Sequence, residues 1–263
     1  MVERVMRTAG KMMLETPGEV HGKAGLANFV TDRDVEIQKY LIRELSALYP
    51  GCHFYGEEDT GGNDRELGGT CFYIDPIDGT TNYIFGYRHS CVSVGMAVDG
   101  QMIAGYVYNP FTDQFYEAQK GKGARLNGKR LEKPDHSLEE GIVAFGCARY
   151  NEGDTDALFD IAKELYLRAL SIRNGGSAAL DLVRIASGAN VGYIELKLQP
   201  YDYAAASVII SEAGGVISQV NGEPITLDGP CSIIAGTEKA VKQIREIAWS
   251  RMERYNIMLG TER

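Results

Sequence analysis

Cysteine and long apolar segments are both scarce in this chain. Its 263 residues include five cysteines, dispersed at positions 52, 71, 91, 147 and 231, and none of them forms a Cys-x-x-Cys pair. An odd and scattered set argues against both a disulfide framework and a zinc site. No run approaches the roughly eighteen apolar residues that a membrane-spanning helix needs, and the first residues lack the apolar segment of an export signal. We therefore expect a cytoplasmic protein that is neither exported nor inserted into a membrane.

Positive charge is the second shortage. The chain has 27 Lys and Arg against 36 Asp and Glu, a net charge of −9, which makes nucleic acid a poor candidate partner. The basic run between 120 and 133 lacks interleaved aromatic residues, and we interpret it as a solvated hairpin. Like charges about 4 Å apart repel by roughly 4 kcal/mol at an effective dielectric of about 20. A phosphate could therefore bind among the acids of this chain only with a divalent metal.

Apolar patterning predicts two halves. The hydrophobic content of 44% is ample for a large core. Residues 1–136 predict helices followed by an antiparallel meander, and residues 137–263 predict strands alternating with helices, as in an α/β layer. The polar stretch around Pro134 is the expected seam. The predicted elements are meander strands at 90–98, 101–108 and 115–119, later strands at 142–146, 191–196 and 231–235, and later helices at 154–170, 176–187, 201–213 and from 239.

The most informative stretch, at 72–82, reads Phe-Tyr-Ile-Asp-Pro-Ile-Asp-Gly-Thr-Thr-Asn. Its first three residues predict the end of a buried strand, which Pro76 should stop because proline lacks a ladder N–H and fixes its own φ. The turn should then begin at Asp75. Asp75 and Asp78 offer oxygens to a hard cation, and the donors of Gly79 and Thr80 that follow them are suited to phosphate.

Two further acidic positions complete the pattern. Glu57 and Glu58 follow a short apolar run, and Asp202 opens an alanine-rich helix much later in the chain. Any one of these acids could simply mark a turn or a helix cap. Together they form a set of oxygen ligands without histidine or cysteine nearby, which favours Mg²⁺ or Mn²⁺ over zinc.

These three segments, in this order, resemble the inositol monophosphatase family of metal-dependent sugar phosphatases, from about Lys23 to Gly236. The resemblance implies an α+β fold, a layered αβαβα sandwich with an antiparallel meander half and an α/β half. It also implies a homodimeric hydrolase that acts on a small phosphate monoester, with inositol 1-phosphate as the first expected substrate. Fructose-1,6-bisphosphatase and 3′-phosphoadenosine nucleotide phosphatase belong to the same superfamily and remain alternatives, as does a non-catalytic regulatory homologue.

The resemblance also implies a metal site. Glu57, Asp75 and the carbonyl of Ile77 would hold one ion, and Asp75, Asp78 and Asp202 a second. Mg²⁺ is the expected cofactor, two or three ions per site, with Mn²⁺ as an alternative. Such ions would lower the pKa of a bound water and stabilise the leaving oxygen.

Catalytic roles follow from the same resemblance. Thr80, hydrogen-bonded to Glu58, would orient and deprotonate the attacking water, while the N–H groups of Gly79 and Thr80 would cradle the phosphate. Asp34 would lie near the metals, although its place after Thr31 also fits a capping box. Lys23 would face the metals, although residue patterning alone favours a solvated loop lysine.

Substrate contacts are implied in the second half. Gly176, Ser177 and Ala178 open a helix whose N–H groups suit an anion, although residue patterning alone favours a glycine linker and a serine cap. Glu195 would bind substrate hydroxyls, and Asp202 would lie beside the substrate as well as the metal.

The haloacid-dehalogenase type of phosphatase is the nearest rival, but it carries Asp-x-Asp, whereas two residues separate Asp75 and Asp78 here. Departures from the family pattern are Tyr83, Gln199, Tyr201 and Ala206. They affect the expected substrate fit and leave the expected hydrolysis intact.

Overall fold

The computed structural model describes residues 1–23, 25, 28–59, 68–132, 135–147 and 155–255. The helices are α1 Val2–Met13, α2 Asp32–Leu48, α3 Thr80–Ile84, α4 Thr155–Arg168, α5 Ala178–Ala186, α6 Pro200–Glu212 and α7 Glu238–Met252. The strands are β1 Val20–Gly22, β2 Phe29–Thr31, β3 His53–Gly56, β4 Thr70–Asp78, β5 Cys91–Val98, β6 Gln101–Asn109, β7 Gln114–Gln119, β8 Ala124–Leu126, β9 Lys129–Arg130, β10 Ile142–Phe145, β11 Ser171–Arg173, β12 Gly192–Leu198, β13 Val216–Ser218 and β14 Cys231–Gly236.

Two large sheets organise these elements. A seven-stranded sheet runs in the order β3 to β9; β3 and β4 are parallel, and every later neighbour is antiparallel. This confirms the predicted meander. A five-stranded sheet has the order β11-β10-β12-β14-β13 and mixes parallel with antiparallel pairs. The short elements β1, β2, β11 and α3 were not predicted, because three to five residues carry too little periodicity to detect.

The helices form three layers around the sheets. Helices α1 and α2 bury residues such as Met6 and Leu41 against one face of the seven-stranded sheet. Helices α5 and α6 lie between the two sheets, with α6 hydrophobic on all sides, as a helix buried in a middle layer must be. Helices α4 and α7 cover the outer face of the five-stranded sheet. The layered αβαβα sandwich is confirmed; the division into 1–136 and 137–263 stays a prediction, and Pro134 lies outside the described residues.

The central strand differs from expectation. β4 continues through Pro76 to Asp78, so the prediction that Pro76 stops the strand was wrong. Asp75 pairs with Ser93 and Asp78 with Cys91, three positions on one strand against two on the other, which is a β-bulge. A bulge leaves a residue outside the ladder and therefore tolerates proline. Asp75 is the last paired residue before the bulge and Asp78 the first one after it, so pairing with β5 holds both aspartates.

Helix α6 lies unusually close to the seven-stranded sheet. A Cβ on Gly105 of β6 would lie 2.1 Å from the carbonyl oxygen of Ala205, and one on Gly95 of β5 would lie 2.9 Å from the Cβ of Ala204. Neither glycine has a positive φ, so the close approach accounts for both. Because α6 carries Asp202 in its first turn, this contact fixes the position of Asp202 relative to β4.

All five cysteines are free thiols. Among the helices of the described ranges, none is long and apolar enough to cross a membrane.

We predict that Gly105→Ala destabilises the protein. The added methyl group would clash with the backbone of α6, which cannot rotate away as a flexible side chain could. Overpacking of this kind costs about 1–3 kcal/mol of unfolding free energy, measurable by urea denaturation. Gly22→Ala is the matched control, because a Cβ there would meet nothing within 4 Å. Equal midpoints for the two variants would contradict the close packing of α6.

Candidate active site

A cleft of about 350 Å³ opens where the ends of β3 and β4, the start of α6, and the loops before α3 and α5 meet. Most of the predicted site residues line it: Glu57, Asp75, Ile77, Asp78, Gly79, Thr80, Gly176, Ser177, Ala178, Glu195 and Asp202. Lys23, Asp34 and Glu58 are joined to this group through hydrogen bonds. Residues more than a hundred positions apart in the chain are thus brought to one cleft.

Lys23 neutralises the acids at the end of β3. Its ammonium group donates to Glu57 Oε1 at 2.9 Å and to Glu58 Oε1 at 2.6 Å. Burial lowers the pKa of Lys23, but the carboxylates of Glu57 and Glu58 have the larger combined effect, so the pKa is raised overall. The buried Glu58 has a pKa raised to about 7, by desolvation and then by the charge of Glu57. Lys23 therefore belongs to the acidic site and is not a solvated loop lysine.

Asp34 combines the two roles that were left open. Its Oδ2 accepts from the N–H and hydroxyl of Thr31 at 2.8 and 2.5 Å, the capping box of α2. Its Oδ1 lies 3.4 Å from the hydroxyl of Thr80. Asp34 is fully buried, and desolvation raises its pKa to about 6. The hydrogen bonds from Thr31 lower the pKa but do not cancel this effect. One oxygen thus caps a helix while the other faces the site.

The hydrogen bond expected between Thr80 and Glu58 is absent from the described residues. The Thr80 hydroxyl lies 3.1 Å from the carbonyl oxygen of Ile77 and within reach of Asp34, and it donates to these instead. Glu58 instead accepts from Lys23, and the side-chain amide of Gln38 contacts the Glu58 backbone at 2.6 and 3.0 Å. The expected partner was wrong because the resemblance gave the neighbourhood of Thr80 and not its side-chain rotamer.

Asp75 lies at the centre of the acids. It is 2% exposed, and its Oδ1 has no hydrogen-bond partner among the described residues. Desolvation raises its pKa well above the usual range, and the charges of Glu57, Asp78 and Asp202 add to the effect. An unpaired buried carboxylate oxygen is costly unless a cation or a proton satisfies it.

Asp78 receives the N-terminus of α5. Its carboxylate accepts from the Ser177 hydroxyl at 2.5 Å and from the N–H groups of Ala178 and Ala179 at 3.2 and 2.8 Å. Burial still raises its pKa to about 6 against these bonds. Ser177 and Ala178, which were expected to contact substrate, line the cleft and also hold this aspartate.

Asp202 lies in the first turn of α6. Its Oδ2 accepts from the N–H of Gln199 at 2.7 Å, so Asp202 forms a capping box as well as a wall of the cleft. Burial is the main cause that raises the pKa of Asp202 well above the usual range, and the charges of Asp78 and Glu57 raise it further. Each acid that approaches Asp75 is therefore held in place by protein donors while it repels the others.

These residues fit a hard divalent cation by their donor chemistry. All the ligands expected from the sequence supply oxygen, and the buried unpaired oxygen of Asp75 lies among them. Within the described ranges, no three Asp, Glu, His or Cys side chains already surround a common point at binding distance. Lys23 already donates to Glu57, and the N-terminus of α5 already donates to Asp78. An ion that bound these carboxylates would replace those donors or share the oxygens with them.

Sequence reasoning missed the groups that connect the two sides of the cleft. The Asn82 amide nitrogen donates to the carbonyls of His89 and Gly175, both at 2.8 Å. Asp181 accepts from the N–H of Gly175 at 3.0 Å and pairs with His89 at 3.3 Å. The end of the 72–82 stretch could have pointed to Asn82, but no pattern in the sequence distinguishes Asp181 from an ordinary first-turn acid.

Comparison with known proteins places these features in a family. A profile of the inositol monophosphatase family matches residues 3–253. Inositol-1-monophosphatase of Bacillus subtilis is 33% identical over 92% of each chain. Fructose-1,6-bisphosphatase/inositol-1-monophosphatase of Aquifex aeolicus is 34% identical over 93% of this chain and 92% of its own. The solved structure of SaIMPase-II with bound inositol monophosphate is 29% identical, with a TM-score of 0.81 over 96% of this chain and 93% of that one.

We predict that the metal-free protein becomes less stable as pH rises from about 4.5 to about 7. Asp34, Asp78 and Glu58 have folded-state pKa values raised to about 6, 6 and 7. The folded state therefore holds protons that the unfolded chain has released, and that stability is lost as pH rises through the folded pKa values. The measurement is the urea midpoint in EDTA across this range.

Glu58→Gln should reduce the change of the urea midpoint with pH near pH 7, because the substitution removes the group whose pKa is raised to about 7. Glu246→Gln, on an exposed position of α7, is the surface control and should leave the slope unchanged. Stability that rises with pH across the window would contradict the raised pKa values.

Proposed function

Because the chain belongs to the inositol monophosphatase family and is a phosphomonoester hydrolase, we propose that it cleaves inositol 1-phosphate to myo-inositol and phosphate with Mg²⁺ as its cofactor. The observation that carries this proposal is the meeting of acids from three remote segments with Thr80 in one cleft, where the Thr80 hydroxyl lies 3.4 Å from Asp34 Oδ1. The family is generally metal-dependent. The homodimer and the cytoplasmic location stay predictions.

The metal ligands would be Glu57, Asp75, Asp78, Asp202 and the carbonyl of Ile77, all of which line the cleft. Divalent ions held there would supply positive charge against the phosphate and against the developing negative charge of the leaving oxygen. Desolvation and then the charges of neighbouring carboxylates raise the pKa values of Asp75 and Asp202. Bound cations would relieve the part of this effect that comes from repulsion between the carboxylates.

Thr80 and Asp34 are the residues best placed to activate the attacking water. The Thr80 hydroxyl can accept a proton from water while it donates its own to Asp34. Burial brings the pKa of Asp34 to about 6, close to the value that suits a general base near neutral pH. We therefore assign Asp34 the role expected for Glu58, and Glu58 a supporting role through its ion pair with Lys23.

The remaining predicted residues would bind the substrate. The N–H groups of Gly79 and Thr80 stay the proposed phosphate contacts, since both residues lie at the cleft beside Asp78. Glu195 lies on the wall formed by β12 and would accept a hydrogen bond from a hydroxyl of the leaving alcohol. The relative of Aquifex aeolicus, with its double name, supports fructose 1,6-bisphosphate as the next substrate to test.

We predict the highest kcat/KM for inositol 1-phosphate in a panel with fructose 1,6-bisphosphate and 3′-phosphoadenosine nucleotide. Activity should disappear after exhaustive chelation and return with Mg²⁺, because the acid cluster cannot accept a phosphate dianion unaided. Full activity after chelation would exclude the metal role. Preference for another ester would reassign the substrate, and inactivity on all three would favour a non-catalytic homologue.

We also predict that Thr80→Ala lowers kcat by about 10²-fold with little change in KM, because the variant loses a proton relay and not a binding contact. Asp34→Asn should have a similar effect, and the double variant should be little worse than either single one, since the two groups act as a unit. Thr8→Ala, at an exposed threonine of α1 that does not line the cleft, is the control. A Thr80→Ala variant that raised KM alone would contradict this assignment.

A further inference from the structure

The wall of the cleft formed by β12 contains a pair of polar side chains that act together. Tyr193 and Glu195 lie two positions apart on β12 and therefore on the same face of the sheet. They are 1% and 5% exposed, and both line the cleft. The Tyr193 hydroxyl donates to Glu195 Oε2 at 2.5 Å. Of the two, only Glu195 was foreseen as a functional residue.

This hydrogen bond matters because Glu195 is buried beside other acids. A buried carboxylate is costly unless donors satisfy it, and Glu195 is close enough to Asp202 for its charge to contribute to the raised pKa of that residue, after burial, Asp78 and Glu57. The phenol supplies a donor without adding a positive charge that would compete with a metal. A buried tyrosine hydroxyl in turn needs a polar partner, so each group satisfies the other.

Gly146 provides the space for this pair. It follows β10, and its N–H donates to the carbonyl of Ile194 at 3.1 Å, which places it directly beside Glu195. A Cβ at this position would lie 1.9 Å from Glu195 Oε2 and 2.5 Å from the Tyr193 hydroxyl. Gly146 does not have a positive φ, so its backbone conformation does not require glycine. The space that the paired side chains occupy is what excludes a larger residue.

We propose that Tyr193 is the positioning residue that fixes the Glu195 carboxylate, and that Tyr193 and Gly146 together set the preference for a polyol phosphate over a simple phosphate ester. The inference rests on the proposed function and concerns the leaving alcohol alone. A carboxylate held by Tyr193 can accept from a hydroxyl near the ester bond. A site that holds an acceptor in a fixed position binds esters that carry such a hydroxyl more tightly than esters that lack it, because only the former gain a hydrogen bond.

Tyr193 also packs in the hydrophobic core between the sheets, so a purely structural role has to be separated from positioning. Tyr193→Phe removes the hydroxyl and keeps the ring. The readout is the ratio of kcat/KM for inositol 1-phosphate to kcat/KM for 4-nitrophenyl phosphate, which has no hydroxyl beside the ester. A general loss of stability would affect both substrates alike and leave this ratio unchanged.

The experiment is a double-mutant cycle of Tyr193→Phe and Glu195→Gln. Each single variant should lower the ratio by about tenfold, mainly through KM for inositol 1-phosphate. The double variant should be no worse than Glu195→Gln alone, because Tyr193 acts through Glu195. Tyr203→Phe is the matched control, a fully buried tyrosine in the same core whose hydroxyl contacts the carbonyl of Thr226. It should leave the ratio unchanged.

Gly146→Ala provides a second, independent variant. It should lower the ratio by displacing Glu195, whereas Gly229→Ala, where a Cβ would meet nothing within 4 Å, should not. An unchanged ratio for Tyr193→Phe, or additive losses in the cycle, would overturn the positioning role while leaving the phosphatase assignment intact. A wild-type protein inactive on both esters would overturn the proposed function itself, and this inference with it.

Discussion

Mutual repulsion among buried carboxylates is the constraint on which the rest of this structure depends. Asp75 is surrounded by acids from three segments, and burial with their charges raises its pKa well above the usual range. The fold holds these acids together by giving each a separate set of donors: Lys23 for Glu57, the start of α5 for Asp78, and the N–H of Gln199 for Asp202. Within the described part of the chain, Asp75 Oδ1 is the one fully buried carboxylate oxygen without a hydrogen-bond partner. The cluster therefore favours a bound cation, and the repulsion among its acids lowers the local stability of the metal-free protein.

The packing of the middle layer explains how such a cluster can be assembled. Helix α6 contacts the seven-stranded sheet through glycines at positions 95 and 105, and α5 inserts its N-terminus at the end of β4. Close packing leaves each backbone little freedom to move away from the charges it carries. The wall formed by β12 is packed as closely, since Glu195 accepts a hydrogen bond from Tyr193 and lies directly against Gly146.

The sequence was sufficient to predict the meander and to single out the acids that the structure brings to one cleft, because long alternating runs and an unusual string of residues carry strong local signals. It was insufficient at Pro76, since a bulge depends on how the neighbouring strand pairs. It was also insufficient at Thr80, whose choice between Asp34 and Glu58 is made by tertiary packing. Tyr193 could not be identified either, because an alternating strand makes an aromatic residue at that position look like ordinary core.

Asn82 has a mechanical consequence. Its single amide group bridges His89 on one side of the cleft and Gly175 on the other, with two bonds of equal length. Separation of the two segments would break at least one of these bonds and leave a carbonyl in need of a new donor. The amide therefore ties together the two segments that carry His89 and Gly175, beside the cleft that Asn82 itself lines. Their spacing is thus set by one side chain and does not depend on the contents of the cleft.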